Sequence, residues 1–235
     1  MSLTQRLQGV FFEPKRTFDA LAAKPVWIDA VVVVLIALIA FMFVVAPYMQ
    51  QDNLKLMKDN GALKDRMGEE AYAKLIEGTE HPSPLFRIVQ TFVSTPLFFL
   101  AALLLQSLIL LVLGRLSSTQ GLYVQVLSAL VHASVIDKLL GNGVRLALAL
   151  TRKSVMQTST GLALLFPKLE VTSTAYILLA QVDLFQLWMF GVLAFGLAAI
   201  FKIKLKNALA LSYLMWLLKA LANVGIGLIS MSFMR

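Results

Sequence analysis

Long apolar runs broken by short polar segments set the pattern of this chain, and five of them lie near residues 26–48, 85–113, 122–150, 175–201 and 208–231. A helix needs roughly 20 mostly apolar residues, at about 1.5 Å of rise each, to cross about 30 Å of hydrocarbon. Each run meets that length. The pattern predicts an all-α polytopic integral membrane protein built as a bundle of five transmembrane helices. Three runs carry internal charges: Asp137 and Lys138 in the third, Asp183 in the fourth and Lys219 in the fifth. An ion facing lipid is costly, so these side chains are expected to face protein or water.

The polar segments have patterns of their own. Residues 1–25 read as a short amphipathic arm, with Leu3, Leu7 and Val10 and then Phe18 and Leu21 at helical spacing. Pro14 suits the first turn of a helix and Pro25 ends one. The reading favoured for the arm is a helix lying at the interface that braces the bundle. Trp27 and Tyr48 mark the two ends of the first span, as interfacial aromatics do. The polar loop 50–84 mixes both signs of charge with a thin apolar stripe, which predicts one or two amphipathic helices capping the bundle. In the third run, Gly141-Asn142-Gly143 predicts either a break near mid-membrane or an early end at the outer surface. Pro96 predicts a kink in the second.

Composition agrees with the pattern. The 235 residues are 59% hydrophobic and 14% charged, against roughly 45–50% and about 25% in soluble domains, and no soluble catalytic domain fits beside the bundle. The formal charge of +8 comes from basic residues that flank the apolar runs, where they set topology and meet anionic lipid. No basic patch with interleaved aromatics suggests nucleic acid. The N-terminus does not read as a signal peptide. Arg115 and the Lys202, Lys204, Lys206 hairpin lie on one side, the acid-rich loop 50–84 on the other. This predicts a cytoplasmic N-terminus and an extracytoplasmic C-terminus.

Candidate chemistry is confined to the bundle. The chain has no cysteine and two histidines without ligand spacing. Motifs for zinc proteases, serine hydrolases and phosphate-binding loops are absent from the sequence. No catalytic, cofactor-binding or metal-binding residue is assigned, and no cofactor is expected. Ser212, Lys219, Asn223 and Ser230 fall within about 40° of one another at about 100° per residue. Depth suggests a Lys219–Asp137 pair, with Asn223 and His132 as further partners and Lys138 alongside. Two meanings stand open for that polar cluster: a structural clasp or a hydrated pathway.

Two stretches carry a family resemblance. Gly9-Val10-Phe11-Phe12-Glu13-Pro14-Lys15-Arg16-Thr17-Phe18, followed by Lys24-Pro25-Val26-Trp27, is similar to the opening of the Yip family. Those are polytopic membrane proteins known for interacting with Ypt/Rab GTPases, with many bacterial relatives. Asp183-Leu184-Phe185-Gln186-Leu187-Trp188, then Gly196 and the basic hairpin, resembles the family's fourth-span region. Thr158-Ser159-Thr160-Gly161-Leu162-Ala163 before Phe166-Pro167 fits it as well. The resemblance implies five spans, a cytoplasmic N-terminus and structural roles for Pro14, Phe18, Pro25, Trp27, Asp183, Phe185, Trp188 and Gly196. It places Asp183 at the outer end of span four. The Asp-Leu-Tyr-Gly-Pro type signature of eukaryotic members is missing, so it implies a bacterial, inner-membrane type of member. The function expected is a non-enzymatic adaptor or organiser, in contact with lipid and with membrane-protein partners or further copies of itself. The alternative is a transporter or channel subunit with a polar path along spans three and five.

Overall fold

Every element of regular structure among the described residues is helical. The structure, a computed structural model, describes residues 1–156, 158 and 160–234, with side chains described through 230. Ser159 of the family-like loop lies outside the described residues. Helix α1 (Leu3–Phe12) opens with a capping box, in which the Ser2 hydroxyl accepts from Gln5 N and the Gln5 side chain accepts from Ser2 N. Helix α2 (Pro14–Ala23) starts on Pro14, whose missing N–H costs nothing in a first turn. Helix α3 (Ile28–Asp59) runs for 32 residues, past its apolar half and through Pro47. The start of the polar loop, through Asp59, is therefore a continuation of span one. Helices α4 (Gly61–Met67) and α5 (Glu69–Glu80) follow it, divided by Gly68 at φ +80°, a conformation that favours glycine. The chain folds back there: Tyr72 Oη donates to Met57 O at 3.2 Å and Gln50 Nε2 to Glu80 O at 2.7 Å.

The second span is α6 (Pro84–Val89), a π-helical turn over Gln90–Ser94, and α7 (Thr95–Arg115). The wide turn sits directly before Pro96 and absorbs the ladder bond that proline cannot make. The third span is α8 (Tyr123–Val135), a second π-helical segment over Ile136–Gly141, and α9 (Asn142–Arg152). It is one helical rod from Tyr123 to Arg152. Neither a break nor an early end occurs at Gly141–Gly143, because the wider π turn keeps the backbone bonded through the weak glycines. The interruption falls in the fourth run instead, between α10 (Thr174–Gln181) and α11 (Leu184–Phe201). Helix α12 (Leu205–Met234) is the fifth span.

The core is built round α8 and α11. The most apolar window of the third span is 72% buried, against 11% for the fifth and 22% for the first and second. So the third span is the axis, the fourth, 56% buried, packs along it, and the first, second and fifth show most of their apolar surface to lipid. Close approach comes from small residues. A Cβ on Gly196 would sit 2.9 Å from Ala129 Cβ and 2.9 Å from the Phe18 ring. The arm does not lie loosely on the surface. Val10, Phe18 and Leu21 are fully or almost fully buried against the bundle, and Gln125 Nε2 donates to Ala22 O at 2.6 Å.

Candidate intramembrane ion network

Two tethers fix the depth of the third span against α3. Ser128 Oγ donates to Val26 O at 2.9 Å at one end. At the other, Asp52 accepts from Ser154 Oγ at 3.0 Å, Val155 N at 2.6 Å and Met156 N at 3.1 Å. At about 1.5 Å per residue, Asp137 lies about 14 Å and Arg145 about 26 Å along the rod from Ser128. Asp137 therefore sits level with the middle of the apolar half of α3, and Arg145, nearer its far end, reaches back to it. The ions gathered there are buried between the helices, from the middle of the apolar half of α3 towards its far end.

Arg145 is the hub. Its Nη2 donates to Asp137 Oδ1 at 2.8 Å and to Asp183 Oδ2 at 3.0 Å. Nη1 donates to Asn142 Oδ1 at 2.9 Å, and Nε to Thr160 Oγ1 at 3.2 Å. The guanidinium stands over the Phe185 ring, 6.0 Å from its centroid. The other Asp137 oxygen takes Lys138 Nζ at 2.8 Å. Asp183 caps α11, accepting on Oδ1 from Phe185 N at 2.9 Å and Gln186 N at 3.1 Å. Its Oδ2 also accepts from the Thr160 hydroxyl. Both carboxylates are buried, and each has partners on both oxygens, as a charge at such depth requires.

The π segment makes this possible. One α turn of about 3.6 residues and one wider π turn together consume about eight residues. Asp137 and Arg145, eight apart, thus return to the same face of the rod. The break in the fourth run completes the site from the other side. Leu162 N donates to Val182 O at 3.0 Å, and Gly161 and Asp183 form an isolated antiparallel bridge. The loop after α9 thus dips inward to pair with the open backbone between α10 and α11. Irregular backbone at this depth is tolerated because protein satisfies it.

Several expected contacts are replaced. Lys219 does not pair directly with Asp137; its Nζ donates to Gln186 Oε1 at 2.9 Å. Arg145 takes the carboxylate instead, since it shares a rigid rod with Asp137 and presents a planar fork. Lys219 remains within electrostatic range of Asp137, Asp183, Lys138 and Arg145. Asn223 lies off the network and bonds Gln181 Oε1 at 3.1 Å. His132 belongs to a second, separate cluster. Its Nδ1 lies 2.8 Å from Ser128 O, and Nε2 accepts from Arg6 Nε at 3.2 Å. That pairing assigns the Nδ1–H tautomer. Arg6 also pairs with Asp29, so the arm is anchored to spans one and three by a buried cation. Asp183 stands at the start of the fourth span, as the N-cap of α11, and the dip of the loop buries it beside Arg145.

The other positions singled out by the resemblance lie in helix starts and packing contacts. Phe18 packs on Gly196, Phe185 on Gly141, and Trp188 meets Phe11 edge-on at 5.8 Å. Pro14 starts α2, Pro25 stands between α2 and α3, and Trp27 precedes the first turn of α3. Sequence reasoning missed Arg145, Thr160, Arg6 and Asp29. Arg145 was the legible one: a cation eight residues beyond a mid-span Asp needed an anion.

Five helices among the described residues are long and apolar enough to cross a membrane, and with an ion network packed between them they define a polytopic all-α membrane protein. No family model, no curated protein and no solved structure matches the chain.

Proposed function

We propose that this protein is a non-enzymatic adaptor or organiser of the inner membrane, of the bacterial Yip-like type, with its N-terminus in the cytoplasm. It acts through helix–helix contacts with other membrane proteins or with further copies of itself. The closure of the ion network supports this most. Asp137 and Asp183 are saturated by Arg145, Lys138, Thr160 and two backbone N–H groups. A transport site keeps ligands open for its cargo, whereas a clasp uses them all. The exposed faces of α7 and α12 supply apolar surface for neighbours.

The test joins two measurements on the full chain. In proteoliposomes it should give no flux of protons or small anions above protein-free vesicles. A photo-crosslinker at Leu221 or Ile226, both exposed on α12, should capture a discrete membrane protein in cells. Flux dependent on the protein overturns the reading.

One observation favours a transporter as the second reading. The fourth apolar run is interrupted at Val182–Asp183, beside the charges, and Lys219 is a third cation near two carboxylates. On this reading a cysteine replacing Gln186 in the cysteine-free chain reacts with a water-soluble thiol reagent. Full protection counts against it.

A further inference from the structure

At the end of the bundle that carries the arm, α2, the α7–α8 turn and the C-terminus of α11 enclose a cavity of about 460 Å³. Its walls include Asp19, Arg115, Gln120, Leu122, Gln125 and Lys202. That volume falls within the range of small-ligand pockets, about 300–1,000 Å³. Two cations face it without a carboxylate partner among the described residues. Arg115 spends one N–H on Gly121 O at 2.6 Å, which fixes its stem and leaves the rest of the fork free. Lys202 ends α11 in the left-handed conformation, φ +56°, and its ammonium makes no hydrogen bond among the described residues. The one acid in the wall, Asp19, is held by Lys15 at 2.9 Å. Lys204 and Lys206 follow directly, so the local field is positive.

The surroundings choose the ligand. Leu116 and Leu122 are exposed beside the cavity at 81% and 59%, at the level where the apolar surface of the bundle ends. A charged pocket with apolar shoulders matches an amphiphile that has an anionic head and acyl chains. We propose that this cavity binds the phosphate of an anionic phospholipid headgroup, held by the Arg115 fork and the Lys202 ammonium. The acyl chains run over Leu116 and Leu122. Basic pockets between transmembrane helices serve this purpose elsewhere, and Arg is suited to phosphate through its paired donors. The site is distinct from the ion network and does not depend on the adaptor reading. A bound lipid would bridge α2 to the turn between α7 and α8.

The experiment is native mass spectrometry of the full chain in neutral detergent, titrated with phosphatidylglycerol or with phosphatidylcholine of the same acyl length. The wild type should retain one phosphatidylglycerol in clear preference. The Arg115→Gln/Lys202→Gln variant should lose affinity by about tenfold or more, as expected for removal of charge-assisted bonds, and Arg115→Lys/Lys202→Arg should keep most of it. If loss of the Gly121 bond unfolds the double variant, Lys202→Gln alone decides, since its side chain holds nothing in place; it should weaken binding several-fold. Equal retention of the two lipids, or unchanged binding by the Lys202→Gln variant, overturns the proposal. Inorganic phosphate is the second arm. If millimolar phosphate alone displaces the lipid, with the same dependence on Arg115 and Lys202, the natural ligand is a soluble phosphate and the lipid assignment fails.

Discussion

Replacing Arg145 by Met keeps much of the side-chain volume and removes the hub of the network. Asp137 and Asp183 would each lose a charge-assisted bond, and Asn142 and Thr160 a neutral partner. Breaking a buried ion pair from one side generally costs about 3–5 kcal/mol. Two facts place this case near the lower end. Asp137 keeps Lys138 at 2.8 Å, and Asp183 keeps the two N–H groups at the start of α11. Hydrogen bonds between membrane helices are also modest, about 0.6 kcal/mol on average and about 1.7 at most. Arg145 makes several at once and stays largely buried, its side chain 16% exposed, so little solvent screens it. The expected cost is about 3 kcal/mol, the low end of the buried-pair range. Asp183→Asn added to Arg145→Met should recover about 1–2 kcal/mol, because Asp183 is the carboxylate left with no cation in contact. Arg145→Lys should recover less, because an ammonium lacks the fork that reaches both carboxylates. The assay is equilibrium unfolding in mixed micelles of rising dodecyl sulfate fraction, followed by circular dichroism. A loss below about 0.5 kcal/mol, or a cycle energy of zero between positions 145 and 183, would refute the clasp.

Two further perturbations probe the packing. Gly196→Val drives a side chain into Ala129 and Phe18, whose atoms already lie 2.9 Å from the Cβ site. It should cost about 1–3 kcal/mol and loosen the arm, seen as faster tryptic cleavage at Lys15 or Arg16; wild-type cleavage rates would contradict the docking. Asp52→Ala strands the Ser154 hydroxyl and the N–H groups of Val155 and Met156. Hydrogen exchange at residues 155–156 should rise by about tenfold, equivalent to about 1.4 kcal/mol, with α8 unaffected; uniform protection would show that the tether is idle.

Much of the architecture was legible because it rests on one physical constraint. Backbone amides in hydrocarbon must bond within their own segment, so apolar runs of sufficient length have to be helices. Pro14, Pro96 and the glycines of close contact also acted locally, through missing donors or missing Cβ atoms. Partners were less legible. Asp137 and Lys219 were matched by depth alone, and depth does not say which cation is better aimed. Arg145 wins because a π segment rotates it onto the face of Asp137. The same difficulty affected the fourth run. Its composition is continuous through Val182 and Asp183, yet the loop carrying Thr160 and Gly161 takes over the backbone bonds there.

By itself, the chain determined its class, the number of its spans and the rule that its internal charges must be satisfied by protein or water. Those follow from transfer free energies and helix length, which act residue by residue. Tertiary structure decided which charges satisfy which, that the arm is locked in by Arg6 on His132, and that Asp183 sits within the bundle. Such choices depend on helix rotation, on register and on a loop folding inward. They rest on distances between residues far apart in sequence, which no local pattern encodes.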